Sequence, residues 1–127
     1  MAIKYRATKK VYTSGGTTKE NYFATVVSDK SANALDLVKI MKPETSLGSQ
    51  DLLTVLELLP MAIETALASG QSVNIKGLGF FAATLTNDGV NTAEELTPDK
   101  VQISRVSFRP DPNFTKQLKQ AGFEKVD

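Results

Sequence analysis

The hydrophobic and polar positions of this chain follow two different periods. Residues 5–11 and 22–27 have the composition of strands, apolar and polar residues alternate over 73–75, and 80–85 and 101–108 are interpreted as two further strands of the same sheet. Such alternation is typical of half-buried β-strands. Over residues 32–41, Leu35, Val38 and Met41 recur at helical spacing, and a longer helical pattern runs to Ser69. The pattern predicts an α+β protein, with a short last helix after the final strand.

Turn-forming and helix-ending residues separate these elements. The loop at 13–18, made of glycines and hydroxyl residues, predicts that the first two strands form a hairpin. Pro43 ends the first helix, and Gly70 ends the second. Ser46 or Ser49 can cap the second helix. The carboxylate of Asp51, in the first turn of this helix, interacts favourably with the helix dipole.

The second helix is apolar on more than the one stripe that a single core requires. Pro60 within it should kink or split it. So wide an apolar surface favours burial from two sides, most simply in a two-fold homodimer. The alternative is a large monomeric core packed by the N-terminal hairpin. The apolar residues are Leu52, Leu53, Val55, Leu56, Leu58, Leu59, Met61, Ile63 and Leu67.

Two short segments carry a resemblance. Residues 72–81 read SVNIKGLGFF, an alternating strand, a glycine bend and a restarted strand, and residues 106–110 read VSFRP. Together they resemble the HU/IHF family of bacterial DNA-architectural proteins, in which the segments read roughly V-x-L-x-G-F-G-x-F and F-x-P. The resemblance covers residues 46–122. The N-terminal part looks like the extended HU-like proteins of the Bacteroides group.

The resemblance implies an IHF/HU-like fold, a helical base with an antiparallel β-sheet and a β-ribbon arm, here with an added N-terminal β-hairpin. It implies one domain over residues 1–127, with the hairpin extension at 1–30 and the HU-like core at 31–127. It also implies an intertwined homodimer and non-enzymatic, weakly sequence-selective binding to double-stranded DNA. The role would be architectural, in the nucleoid of the cytoplasm.

The segment that corresponds to the ribbon arm departs from the family pattern. The segment from Thr84 to Lys100 contains one cation, which is Lys100 itself. It contains four carboxylates, those of Asp88, Glu94, Glu95 and Asp99. The Arg-Asn-Pro tip of the family is absent. Carboxylates repel a phosphate backbone, which argues against deep DNA bending by this arm. The alternative function is a protein-interaction or assembly module that keeps the HU-like fold but has lost DNA bending.

The distribution of charge says more than the net charge of +1. Residues 1–20 carry five cations and one carboxylate, and residues 101–127 carry five cations and three carboxylates, whereas the middle is acidic. Basic ends could form a cationic face, although a basic end is often only solvated. The candidate DNA contacts are Lys4, Arg6, Lys9, Lys10, Lys76, Lys100, Arg105 and Arg109.

Two candidate groups have a plainer interpretation. Arg105 and Arg109 are four apart, so on a regular strand they share a side and form a cationic stripe. They could equally pair with the carboxylates at positions 94, 95 and 99 across the ribbon. Lys116 and Lys119 lie three apart on the last helix, where solvated lysines are common.

The composition of the chain excludes several kinds of catalytic and metal-binding site. The chain has no His and no Cys, so histidine acid–base catalysis, thiol nucleophiles and the usual zinc sites are excluded. We therefore expect no enzyme activity, cofactor, metal or small-molecule substrate. The lack of cysteine fits a reducing compartment, and no secretory signal or long apolar run is present. We expect a cytoplasmic protein that does not contact membranes.

Overall fold

The computed structural model describes residues 1–28 and 30–126 and has a mixed α and β architecture. The strands and helices, in chain order, are β1 (Ile3–Ser14), β2 (Thr17–Val26), α1 (Ala34–Met41), α2 (Ser49–Ala68), β3 (Val73–Ile75), β4 (Gly79–Thr86), β5 (Gln102–Pro110), α3 (Pro112–Gln120) and β6 (Phe123–Lys125).

Strands β1 and β2 form a long antiparallel hairpin. Its loop is only Gly15-Gly16, with φ angles of 60° and 80°, and two successive positive φ values define a type I′ turn. This turn matches the twist of the strands, so pairing continues without a break from Ser14↔Thr17 to Tyr5↔Val26. The strands are therefore longer, and the loop shorter, than the sequence pattern predicts.

A short strand near the C-terminus completes this first sheet. Strand β6 lies parallel to β1, on the side opposite β2, and gives the order β2-β1-β6. The Ile3 N–H donates to the Gly122 carbonyl (2.9 Å), and the Val126 N–H donates to the Tyr5 carbonyl (2.8 Å). The sequence analysis does not predict β6, because three residues are too few to show a period.

The second sheet is antiparallel, in the order β3-β4-β5. Its register shifts between Thr84 and Leu85, whose partners are Arg105 and Ile103. Beyond Thr86 and Gln102 the described link has no paired strand and contains two 3₁₀ turns, Ala93–Glu95 and Pro98–Lys100. The resemblance implies a ribbon arm here, but strand-breaking residues such as Gly89 and Pro98 oppose one.

Helix α2 begins at Ser49, directly after the loop at 45–48, and passes through its proline. Gly48 is the N-cap and provides no side-chain cap, so neither Ser46 nor Ser49 has the predicted role. The helix continues through Pro60 and ends at Ala68, just before Gly70. Of the two predicted effects of Pro60, a kink or a split, the split is therefore absent.

Little apolar surface is covered in one copy of the chain. Among the described residues, Val38 of α1 and Leu52 of α2 are the buried apolar side chains, at 4% and 8% exposure. By contrast Val55, Leu58 and Met61 on α2 are more than half exposed. One copy thus leaves much of the wide apolar surface of α2 open to solvent.

The chain divides into two compact units. One combines Met1–Asn33 with the chain from Lys116 onward, and the other is Ala34–Thr115. The last residues group with the hairpin because β6 pairs with β1, whereas the sequence analysis places them in the core. The single domain over 1–127 stays a prediction. In the part of the chain that the structure describes, no helix is both long enough and apolar enough to cross a membrane.

Candidate functional site

The register of the hairpin sorts its charges between two faces. Alternate residues of a strand point to opposite faces, so Lys4, Arg6 and Lys10 share one face of β1. Lys19 of β2 stands opposite Tyr12 and joins the same face. We call Lys4, Arg6, Lys10 and Lys19 the cationic hairpin face. All four side chains are exposed, and among the described residues none of them forms an ion pair.

Polar and aromatic contacts hold this face in place. The Thr8 and Thr25 hydroxyl groups hydrogen-bond across the strands at 2.8 Å. The Asn21 amide donates to the Tyr12 hydroxyl at 2.7 Å. The Lys10 ammonium lies 5.0 Å from the centre of the Phe23 ring, a cation–π contact. The face therefore presents cations beside groups that can donate hydrogen bonds.

Arg6 borders a recess on this face. The recess has a volume of about 400 Å³, and the hydroxyl residues Thr8, Thr25 and Ser28 line it with Arg6. A guanidinium with neighbouring hydroxyl donors can bind one oxyanion through several hydrogen bonds. The recess is thus chemically suited to a phosphate group.

Lys9 lies on the opposite face from Lys10. Its ammonium pairs with the Glu20 carboxylate at 3.1 Å, and both side chains are about half exposed. Most of the remainder of that face is apolar, with a groove of about 410 Å³ lined by Ile3, Tyr5, Ala24, Val26 and Phe123. The structure thus separates Lys9 from the other N-terminal candidates, and Glu20 compensates its charge.

In the second unit, Arg105 and Arg109 point to one face of β5, as their spacing predicts. Their positions are about 13 Å apart along the strand, from the usual rise per residue. Between them, Ser107 donates its hydroxyl hydrogen to the Ala82 carbonyl at 3.3 Å. The Arg109 guanidinium lies 5.6 Å from the centre of the Phe80 ring, which restrains it without neutralising it.

The alternative interpretation of this pair, ion pairs with the link, has no support in these contacts. No ion pair within residues 1–28 and 30–126 joins Arg105 or Arg109 to Glu94, Glu95 or Asp99. Both guanidinium groups are exposed. We call these two residues the arginine stripe.

The remaining candidate cations do not belong to the cationic hairpin face or to the arginine stripe. Lys76 is exposed in the turn between β3 and β4, directly before Gly77. Lys100 lines a recess of about 340 Å³ together with Asp88 and Asp99, so two carboxylates share its surroundings. Lys116 and Lys119 are exposed on α3.

Lys19 is the candidate that the sequence analysis does not select. It lies between the predicted loop at 13–18 and the predicted strand at 22–27, where the direction of its side chain is undefined. The signal that identifies it is the two-residue loop: Gly15-Gly16 with a type I′ turn pairs Tyr12 with Lys19.

Comparison with known proteins gives one family and several solved structures, of which two are described. The sequence model of HU-HIG, the HU domain fused to wHTH, Ig or glycine-rich motifs, matches residues 1–125. A comparison with curated proteins finds no match.

The crystal structure of a candidate bacterial DNA-binding protein from Bacteroides vulgatus is similar over 98% of this chain, with 16% identity and a TM-score of 0.68. The chain spans about half the length of that protein, 48%. A cocrystal structure of Anabaena HU with DNA matches 68% of this chain and 95% of its own, with 17% identity and a TM-score of 0.43.

Proposed function

This chain belongs to the HU-HIG family, and from that premise we propose that it binds double-stranded DNA through the phosphate backbone. The binding is non-enzymatic, weakly selective for sequence and architectural in role. Contacts to phosphates fix a protein on a duplex without reading its bases. The family membership bears out the resemblance seen in the sequence, and the cationic surfaces support the partner.

The observation that carries the proposal is the cationic hairpin face. Four exposed cations without ion pairs among the described residues stand on one side of the hairpin, beside hydroxyl and amide groups. Residues two apart on a strand are about 7 Å apart. Such a row of cations can neutralise successive phosphates and release their counterions. The proposed contacts are therefore Lys4, Arg6, Lys10 and Lys19, and Lys9 belongs to the other face.

The arginine stripe supplies the second set of contacts. Arg105 and Arg109 stand on one sheet face, and the Phe80 ring orients the second of them. Arginine is well suited to phosphates because its planar guanidinium donates two parallel hydrogen bonds. Lys76 adds a further cation in the nearby turn. Lys100 contributes least, since Asp88 and Asp99 line its recess.

The acidic link limits what the protein does to DNA. It carries four carboxylates and, between Asn87 and Val101, has no paired strand. It therefore cannot wrap a groove as a basic ribbon would. The proposed role is backbone binding and organisation of the nucleoid, with little bending by this segment.

The homodimer is also part of the proposal. Val55, Leu58 and Met61 of α2 are more than half exposed, as are Leu35 and Ile40 of α1. Apolar surface of this extent typically marks an interface, and a two-fold pairing of the Ala34–Thr115 unit would cover it.

The second candidate function is a protein-interaction or assembly module. The observation that favours it is the same acidic link, because its carboxylates oppose DNA and could instead bind a basic protein. A salt titration separates the two functions.

The experiment is fluorescence anisotropy with a generic duplex of about 20 base pairs. The four cations of the cationic hairpin face and the two of the arginine stripe, counted for one chain, predict that log Kobs falls with log[salt] with a slope of about −5, a loss of roughly 10³-fold between 50 and 200 mM salt. Lys76 and a second copy on the same duplex would make the slope steeper. Duplexes of unrelated sequence should bind with similar affinity. No measurable binding at about 50 mM salt would reject the DNA proposal and leave the interaction module.

A further inference from the structure

Strand β2 has an open outer edge. It is the terminal strand of the sheet β2-β1-β6. The Val27 N–H donates to the Lys4 carbonyl, so the odd-numbered residues of β2 direct their backbone groups towards β1. The even-numbered residues Thr18, Glu20, Tyr22 and Ala24 therefore direct their N–H and C=O groups outward. Among the described residues no strand pairs with them.

This edge lacks the features that usually prevent pairing between molecules. Protected edges are short, or carry proline, a bulge or several lysines. Strand β2 has ten residues, no proline and no register shift, and its one lysine is followed by Glu20. The edge of β1 is also open beyond the residues that pair with β6, but there it carries two adjacent lysines, Lys9 and Lys10, which oppose pairing. Pairing is thus favoured at β2.

We propose that β2 pairs with β2 of a second copy of this chain, antiparallel and about a two-fold axis at Asn21. The two three-stranded sheets then form one continuous sheet. The outward groups of Thr18, Glu20, Tyr22 and Ala24 exchange about eight backbone hydrogen bonds with the same residues of the other copy.

The side chains select this register. With Asn21 opposite Asn21 of the other copy, Lys19 stands opposite Phe23, so its ammonium can lie over that ring much as Lys10 already does. Glu20 stands opposite Tyr22. Centring the pair on Lys19 or on Glu20 instead would place like charges directly opposite each other, which is unfavourable. A register shifted by one residue would pair even-numbered with odd-numbered residues. The apolar face of one copy would then continue into the cationic face of the other.

The pairing also extends the candidate DNA surface. Residues opposite each other in a sheet share a face, so the cationic hairpin faces of the two copies become one surface with two sets of four cations. This consequence rests on the proposed function, whereas the pairing itself does not. An additional contact between copies would allow molecules bound to one duplex to join side by side.

The absence of cysteine permits a direct test by oxidation of single-cysteine variants of the full chain without DNA. Opposed residues of a non-hydrogen-bonded pair have Cα atoms about 4.5 Å apart, within the range of a disulfide. Asn21→Cys should therefore give a covalent dimer. Thr25→Cys is the matched control on the same strand and face, because its two thiols would lie roughly 27 Å apart. A dimer from both variants to the same extent, or from neither, overturns the proposal.

A charge pair tests the register. Thr18 stands opposite Ala24 of the other copy, so Thr18→Lys with Ala24→Lys sets like charges together at both ends, whereas Thr18→Glu with Ala24→Lys sets opposite charges together. In the Asn21→Cys background, the first pair should lower the yield of covalent dimer at least tenfold, and the second should preserve it. Circular dichroism checks that each hairpin is folded. Equal yields would contradict the proposed register.

DNA affinity is measured separately on the same variants. A duplex that binds while Asn21→Cys gives no dimer rejects the pairing alone. A covalent dimer that binds no duplex rejects the proposed function alone.

Discussion

The Asp111 carboxylate accepts a hydrogen bond from the Gly77 backbone N–H at 3.2 Å. Its other oxygen accepts from the Asn113 N–H at 2.9 Å, as an N-cap of α3 does. The Asp111 N–H in turn donates to the Leu78 carbonyl at 3.0 Å. One residue thus links the turn before β4 to the junction of β5 and α3, next to Arg109.

We expect Asp111→Ala to lower the free energy of unfolding by about 1–2 kcal/mol, because two backbone N–H groups lose their acceptor. Asp111→Asn should lose about half as much, since its one carbonyl oxygen can keep the cap but not both bonds. Urea unfolding at fixed protein concentration measures both. Stability equal to that of the parent protein in Asp111→Ala would show that the link carries no energy.

Gly79 leaves no room for a side chain. A Cβ atom there would clash with the Arg109 carbonyl oxygen and lie 2.6 Å from the Phe108 ring. We expect Gly79→Ala to destabilise the protein by about 1–3 kcal/mol, because either β4 or β5 must move. Gly48→Ala is the comparison, since its nearest contact is an ordinary 3.6 Å to Asp51. Urea unfolding should rank Gly79→Ala as clearly the more damaging.

Lys9 and Lys10 are neighbours in sequence that should behave differently towards DNA. Lys10→Ala removes a cation from the cationic hairpin face, so it should weaken duplex binding and reduce the magnitude of the salt slope by about 1. Lys9→Ala removes a cation that pairs with Glu20 on the other face, so the slope should stay unchanged. Anisotropy titrations at several salt concentrations measure both. Equal effects of the two substitutions on the salt slope would show that DNA binding does not depend on which face of the hairpin a lysine occupies.

The arginine stripe should contribute without regard to sequence. We expect Arg105→Ala with Arg109→Ala to reduce the magnitude of the salt slope by about 2 and to weaken binding to all duplexes alike, because phosphates carry no sequence. Lys42→Ala, an exposed cation after α1, serves as the control. A loss confined to one duplex sequence would assign the arginines to base edges.

The proposed homodimer makes a prediction about mass. Sedimentation at micromolar concentration should give at least two copies. With the hairpin edge blocked by Thr18→Lys and Ala24→Lys, adding Leu58→Glu should shift the equilibrium strongly towards one copy, because it would bury a charge in the interface. Glu57→Gln on the same helix should leave the mass unchanged. Thr18→Lys with Ala24→Lys should keep this dimer, since it alters only the hairpin edge. A single copy for the unaltered chain would refute the homodimer.

Local patterns predicted most of the elements, and the differences occur where the deciding contact is distant. Alternation placed Arg105 and Arg109 on one side of a strand, and β5 has them there. Strand β6 is missed because it forms only by pairing with β1, where Ile3 donates to the Gly122 carbonyl and Tyr5 accepts from the Val126 N–H. Such pairing partners are separated by more than a hundred residues and leave no trace in a local period.

The sequence by itself determined the mixed α and β class, the family likeness at the glycine bend, the excess of cations at both ends and the lack of histidine and cysteine. Tertiary structure alone decided which cations act together. A shift of one residue between β1 and β2 would exchange the faces of the strand, so the register fixed by Gly15-Gly16 puts Lys10 with Lys19 and leaves Lys9 to Glu20. Composition records how many charges exist, whereas only cross-strand pairing determines which of them are neighbours in space.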